Sequence, residues 1–378
     1  MTHPLAVAIA LFLLFVVLVP SHASEVLVAR APGGGIQPQA AVDADGTVHL
    51  VTFTGDPAAG DLDYRTRATG AAEFSAAIPV NSVRGSGIAT GTVRGAHLAI
   101  GRDGWVHVAW MGAQGATPKG PQDSTPMLYA RLRSGDAGFE PQRNVMTWAK
   151  GLDGGGTIAA DERGRVAVAW HADPLTAGEA GRAVFVALSQ DDGASFAKEI
   201  QPVTAKTGAC GCCGMRAAIA ADGSLYLGYR GADGGARRDF LLAALGLKGT
   251  EARVAELGSW KIPSCPMSTC AIVRTTDGML VAWEQETGLH WTRIVKGKPA
   301  KPVLVATNAK HPSLAEAADG SVLVAWAEGA GWNKGGQLRW RIYDRQAQPR
   351  AESQQSEELP SWSMPTAVAT GPAFSIWY

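Results

Sequence analysis

His97-Leu98-Ala99-Ile100-Gly101-Arg102-Asp103-Gly104-Trp105-Val106-His107-Val108-Ala109-Trp110 is the stretch that decides the fold. A short apolar run leads into Asp-Gly, which supplies the positive φ angles of a tight turn. The Val/Ala/Trp run after it reads as a buried strand, so the unit is a β-hairpin. The chain repeats this unit from end to end. Copies fall at Gln39–Phe53, Thr157–Trp170, Arg216–Tyr229, Ala271–Trp283 and Pro312–Trp326, with a degenerate seventh at Pro365–Trp377 turning on Thr370-Gly371-Pro372. The six full turns lie 58, 60, 59, 55 and 42 residues apart. Further strand-like runs at 127–133, 183–189 and 337–343 lie between them. About four strands per 40–60 residues, without helical periodicity, is the pattern of β-propeller blades, and a β-sandwich would not reuse one motif in register so often. The six full hairpins predict an all-β, six-bladed propeller closed by a strand at 26–29 or by the C-terminal strand. The alternative is seven blades, the last built from the degenerate hairpin and the N-terminal strand.

Ser189-Gln190-Asp191-Asp192-Gly193-Ala194-Ser195-Phe196 matches the Asp-box pattern Ser-x-Asp-x-Gly-x-Thr/Ser-Phe/Trp, and residues 134–139 form a shortened version. In such a box the Asp and Ser side chains bond the local backbone while the aromatic packs beneath, so it marks fold and not chemistry. Together with the hairpin repeat, these residues make positions 25–378 resemble the sialidase superfamily of Asp-box (BNR) repeat β-propellers. The resemblance implies a substrate face on the rim opposite the Asp-boxes, and carbohydrate binding or glycoside hydrolysis of an exo-sialidase kind as the activity to look for.

Antiparallel alternation then converts position into place. Loops entering the innermost strand of each blade share one rim with the loops joining its second and third strands. That rim should gather Gly33–Gln37, Arg94, His97, Gly151–Gly156, all five cysteines, Met215, Arg216, Met267, Lys310, His311 and Trp362–Met364. From the second set of loops it gathers His171, Asp173, Arg230, Arg237, Arg238, Asp239, Glu284, Glu286, Glu328 and Trp332. The other rim has short turns, so function is expected on the loop-rich side.

Sialidases resembling this chain grip a substrate carboxylate with three arginines, the first in an Arg-Ile-Pro motif opening blade one, and use a Tyr–Glu pair and an Asp for chemistry. Here that stretch reads Gly35-Ile36-Gln37-Pro38, with glycine in place of arginine. A backbone N–H does not replace a bidentate guanidinium, so a competent sialidase is not expected. Arg94, His97, Arg216, Arg230, Arg238 and Trp332 remain candidates for binding a glycan or other small molecule. Glu284, Glu328 and Asp239 are the candidate acid/base groups. The alternative for each is a solvated loop charge. Trp110, Trp170, Trp283, Trp326 and Trp377 end the second strand of their repeats and are expected in the core, whereas Trp332 and Trp362 lie in loops and suit sugar stacking.

Cys210-Gly211-Cys212-Cys213 and Cys265-Pro266-Met267-Ser268-Thr269-Cys270 enter the innermost strands of consecutive blades and should be neighbours. With Arg238-Asp239 and Trp260, they also resemble an uncharacterised group of exported sialidase-like propellers, from which Ser268-Thr269-Cys270 departs; that resemblance implies no activity. Three readings stay open. Disulfides suit an exported chain, and a bridge between the two groups would close a loop of about 50 residues, worth about 4 kcal/mol. Clustered thiolates with Met215 and Met267 suit copper(I) or zinc, as a metal-binding protein of the periplasm. A disulfide exchanging with a neighbouring cysteine would make a thiol-redox protein.

An apolar run of about 15 residues, Leu5 to Val19, ends at Pro20 and the small-residue stretch Ser21-His22-Ala23-Ser24. It reads as a signal peptide cleaved near Ala23/Ser24, leaving residues 24–378 as one secreted or periplasmic domain. An uncleaved anchor is the alternative, because Met1–Pro4 carries no Lys or Arg; the run is short for a membrane span. The chain has 34 Lys+Arg and 34 Asp+Glu, none of them within residues 1–23. That balance gives no electrostatic reason for a nucleic-acid or membrane-surface partner.

Overall fold

The structure is a computed structural model that describes residues 25–173, 181–246 and 248–378; the expected signal peptide lies outside them. It is a seven-bladed β-propeller in which the described residues form three short 3-10 turns and no helix longer than these. Blade 1 is Ile36–Val42, Val48–Thr54, Asp61–Arg67 and Ile78–Pro79; blade 2 is His97–Ile100, Val106–Met111, Met127–Leu132 and Arg143–Asn144. Blade 3 comprises Gly156–Ala160, Val166–Ala172 and Ala183–Ser189, with Ile200 bridged to Val186 at its outer edge. Blade 4 is Arg216–Ile219, Leu225–Arg230, Phe240–Leu245 and Arg253–Gly258. Blades 5 and 6 are built on Cys270–Arg274, Gly278–Gln285 and Gly288–Val295, and on Ala309–Glu316, Val322–Glu328 and Gln337–Tyr343.

The degenerate hairpin is a blade in its own right, so seven replaces the favoured count of six. Thr366–Thr370 and Ala373–Trp377 pair antiparallel, and Val26–Ala29 adds alongside in parallel, Val26 opposite Phe374 and Ala29 opposite Trp377. The N-terminal strand thereby closes the ring. Each innermost strand packs on the next, and the last on the first. Three hydroxyls join inner strands that share no ladder: Thr157 Oγ1 accepts from Ala217 N, Ser313 Oγ from Ala367 N and Thr366 Oγ1 from Ala40 N.

The repeat tryptophans Trp110, Trp170, Trp283, Trp326 and Trp377 are all buried between blades. In the turns between first and second strands, glycine takes the left-handed conformation, with φ of 78° at Gly46, 80° at Gly164 and 81° at Gly320. The Asp-box behaves as a turn device. Asp191 Oδ1 accepts from Ser195 N at 2.9 Å, Ser189 Oγ accepts from Gly193 N at 2.9 Å, and Phe196 packs edge-on against Tyr129 of blade 2. The shortened box repeats the arrangement, with Phe139 edge-on to Tyr64 of blade 1. Each of these tyrosines holds a histidine one strand inward, Tyr64 with His49 and Tyr129 with His107.

Candidate binding rim and thiol cluster

The innermost strands enclose a central channel of about 570 Å³. Its lining runs from Gln39, His97, Thr157 and Arg216 at the loop-rich end to Asp43, Glu162, Arg274 and Glu316 at the turn end. The loop-rich mouth is filled by the chain itself. The segment 89–96, leading into blade 2, lies across it: Gln37 of blade 1 donates to Ala89 O, and Arg94 bonds Asp153 before blade 3 at 2.7 Å. A side chain on Gly155 of blade 3 would fall 2.6 Å from Val93 O, and one on Gly91 would fall 2.9 Å from the Trp332 ring of blade 6. Val93 and Thr92 are buried. What remains on the surface is a shallow cleft among Gly91, Thr92, Met267, Lys310, His311 and Trp332, with room for about 10 Å³, about one water. Five residues around this mouth hold positive φ despite bulky side chains: Gln37, Thr92, Met267, His311 and Trp362. Such conformations cost about 1–3 kcal/mol each and persist only where surroundings enforce them.

The candidate residues separate into distinct environments. Arg216 projects into the channel beneath the filled mouth, donating to the His97 ring and to Met215 O, with Met364 Sδ at 4.0 Å. Burial brings its guanidinium down to about 10. Burial, and then the Arg216 charge, hold His97 well below the usual histidine range. Arg230 is committed to the scaffold: its Nε donates to Ser268 Oγ, Nη1 to Arg238 O and Nη2 to Glu284 O. Arg238 is buried and donates to Gly235 O, while Asp239 accepts from Arg237, Ser259 and Trp260 N.

Glu284 is buried with Oε1 3.2 Å from Lys310 Nζ and Oε2 without a hydrogen-bond partner. Burial raises its carboxyl above the usual range, against the pull of Lys310 and Arg230. Glu328 is paired with Arg339 at 3.1 Å. Trp332 is 49% exposed and stands at the cleft edge. Gly35, where the sialidase pattern has arginine, leaves no space for any side chain, since a Cβ there would sit 2.5 Å from Thr52 Cβ.

The cysteine groups converge as chain direction requires. The Sγ atoms of Cys210, Cys212, Cys213 and Cys265 all lie within 4.8 Å of one another, with Cys212 and Cys265 joined as a disulfide. Cys210 Sγ is 2.9 Å from Cys213 Sγ, 3.6 Å from Cys212 Sγ and 3.8 Å from Cys265 Sγ. A turn closed by Cys213 N–H to Cys210 O lets the adjacent Cys212 and Cys213 face the same centre. Burial alone would raise the Cys213 thiol, but Cys210, the Arg230 charge and Ser268 bring it down to about 7. Cys270 and Met215 lie outside the cluster: Cys270 packs in the core between blades 4 and 5, and Met215 in the core between blades 3 and 4. Sequence reading placed Arg94 on this rim but missed that residues 89–96 around it fill the mouth. The signal was the strand-free stretch from Gly85 to Gly95, with glycines at 85, 87, 91 and 95.

No protein-family model matches the sequence, and no curated protein is similar to it. Solved structures do share the fold. A Penicillium chrysogenum α-L-arabinanase complexed with arabinobiose is similar over 82% of this chain and 94% of its own, at 13% identity and a TM-score of 0.52. An ulvan lyase bound to a GlcA–Rha3S oligosaccharide is similar over 84% and 81%, at 11% identity and a TM-score of 0.50. A Hadza microbial sialidase is similar over 82% and 69%, at 15% identity and a TM-score of 0.49. The chain thus shares the propeller fold of these proteins, as an all-β ring of seven blades. Among the described residues no helix is long and apolar enough to cross a membrane.

Proposed function

We propose that this protein is an exported glycan-binding propeller that holds its ligand on the loop-rich rim without cleaving it. The observation that carries this reading is Trp332, an exposed indole on the edge of the shallow cleft, flanked by Lys310 and His311. An indole face with a polar edge is the side chain best suited to stack on a sugar ring while donors engage its hydroxyls. The resemblance in fold to an arabinanase and an ulvan lyase supports a glycan as the ligand class. Two features favour binding over hydrolysis. The well where a ligand would sink is filled by residues 89–96. Two of the candidate carboxylates are committed, Glu328 to Arg339 and Asp239 to Arg237 and Trp260, which leaves Glu284, paired with Lys310 through Oε1 only. Glycoside hydrolysis needs two carboxyl groups facing one bond at about 5–9.5 Å.

Titration calorimetry with arabinobiose and with GlcA–Rha3S oligosaccharides tests the reading. Trp332→Ala is expected to weaken binding at least about tenfold, or 1.4 kcal/mol, with Trp332→Phe retaining part of the affinity. Failure of every oligosaccharide to bind, or equal affinity in Trp332→Ala, would overturn it.

A further inference from the structure

We propose that Cys210, Cys212, Cys213 and Cys265 form a four-thiolate site for one thiophilic d¹⁰ ion, zinc(II) or copper(I). The four sulfurs come from loops entering blades 4 and 5, and all lie within 4.8 Å of one another. An ion with metal–sulfur bonds of about 2.3 Å at the centre of a tetrahedron has sulfur–sulfur edges of about 3.8 Å. Cys210 stands 3.6 Å from Cys212 and 3.8 Å from Cys265, so two edges already have that length. A staple between the loops needs two sulfurs; the third and fourth in the same sphere add nothing to it.

The surroundings fit ligation too. The turn from Cys210 to Cys213 aims three sulfurs inward from four residues. His171 donates from Nε2 to Cys213 O at 3.1 Å, and Ser268 Oγ donates to Cys213 Sγ at 3.7 Å. Ser268 Oγ also accepts from Arg230, whose guanidinium offsets the excess negative charge of four thiolates on one ion. Such outer partners orient ligands and tune affinity. Cys212 and Cys265 are only part-buried, which gives an ion a route in from the rim. The Cys212–Cys265 disulfide and the metal exclude each other, because closing that bridge removes two electrons and two of the four thiolates. Binding therefore requires the reduced chain and displaces the thiol protons.

The test uses the full chain reduced with a phosphine, which becomes its oxide with the oxygen of one water while the two sulfurs take that water's protons. The chain is then loaded with zinc(II) or copper(I), desalted and weighed by native mass spectrometry. One ion per chain is expected, identifying the metal by which of the two is retained at equal challenge with a chelator. Cys212→Ser and Cys265→Ser should each weaken retention at least about tenfold, and Cys270→Ser, outside the cluster, should keep the wild-type stoichiometry. Because a cluster variant could misfold, reduced, metal-loaded wild-type protein is also alkylated with and without chelator. Modification of Cys212 and Cys265 only after chelation supports the site. Reduced wild-type protein that retains neither ion, or alkylation indifferent to chelator, would overturn the proposal.

Discussion

The two rims of the ring close their backbones in different ways. On the turn rim the turn backbones are closed from within: Asp43 Oδ1 accepts from Asp45 N and Thr47 N, Asp161 Oδ1 from Arg163 N and Arg165 N, and Asp344 Oδ1 from Gln346 N and Gln348 N. Arginines then tie blade to blade, Arg165 to Gly223 O and Arg293 to Gly320 O. On the loop-rich rim, bonds reach between blades: Gln37 to Ala89 and Trp362, His171 to Cys213, Arg230 to Glu284, and Gly214 to Ser268. Side-chain bonds within a turn need only their own few residues, whereas the cross-rim bonds exist only once the ring has closed. The turn backbones are therefore locally encoded, whereas the backbone of the loop-rich rim is held by groups from neighbouring blades and carries the unusual chemistry.

The sharpest way to break this contrast is to remove a cross-rim bond. Arg230→Ala deprives Ser268 Oγ, Arg238 O and Glu284 O of one donor group in a buried setting. Each buried acceptor left unmet costs about 1–3 kcal/mol, so a loss above about 3 kcal/mol is expected, read as a lowered unfolding midpoint. A loss under 1 kcal/mol by the same measurement would say the rim is not assembled this way.

Acid should strike next. Burial holds His171 at about 4 and His311 at about 3, with Lys310 and Arg216 adding to the effect at His311. Their unfolded values lie at 6.5, so between those limits the unfolded chain binds more protons and stability rises with pH. The stabilisation is complete above about 6.5 and is lost as pH falls toward 3–4, by at most about 1.4 kcal/mol per pH unit for each ring. His311→Asn should flatten that slope in thermal melts collected from pH 7 to 4; an unchanged slope contradicts the assignment.

The smallest effect belongs to the turn rim. Asp191→Ala removes the acceptor of Ser195 N and Ser195 Oγ from an exposed turn and should cost only about 1 kcal/mol in the same melts. It should leave oligosaccharide affinity as it is in the wild type.

What the sequence made legible follows the same division. The hairpin repeat, the Asp-box with Phe196 beneath it and the buried Trp110, Trp170 and Trp283 are local patterns, and each stands where the pattern placed it. The convergence of Cys210–Cys213 with Cys265 was also legible, because strand alternation alone puts both loops on one rim. The blade count was less so: Thr370-Gly371-Pro372 lacks the Asp-Gly signal, and the partner that completes blade 7 comes from the other end of the chain. Least legible was the filling of the mouth by residues 89–96, because nothing local to Thr92 or Val93 says that blades 1, 3 and 6 will close around them. The same blindness hides how Arg230 and Asp239 are spent on scaffold bonds.

Hydrogen–deuterium exchange of the wild-type chain with and without a bound oligosaccharide tests the central claim most directly, that the loop-rich rim is the working surface and its mouth is already full. Ligand should protect amides in residues 89–96, 310–312 and 329–334 and leave the turns around Gly46, Gly164 and Gly320 unchanged. Protection concentrated at those turns, or along the channel strands beneath the mouth, would contradict it.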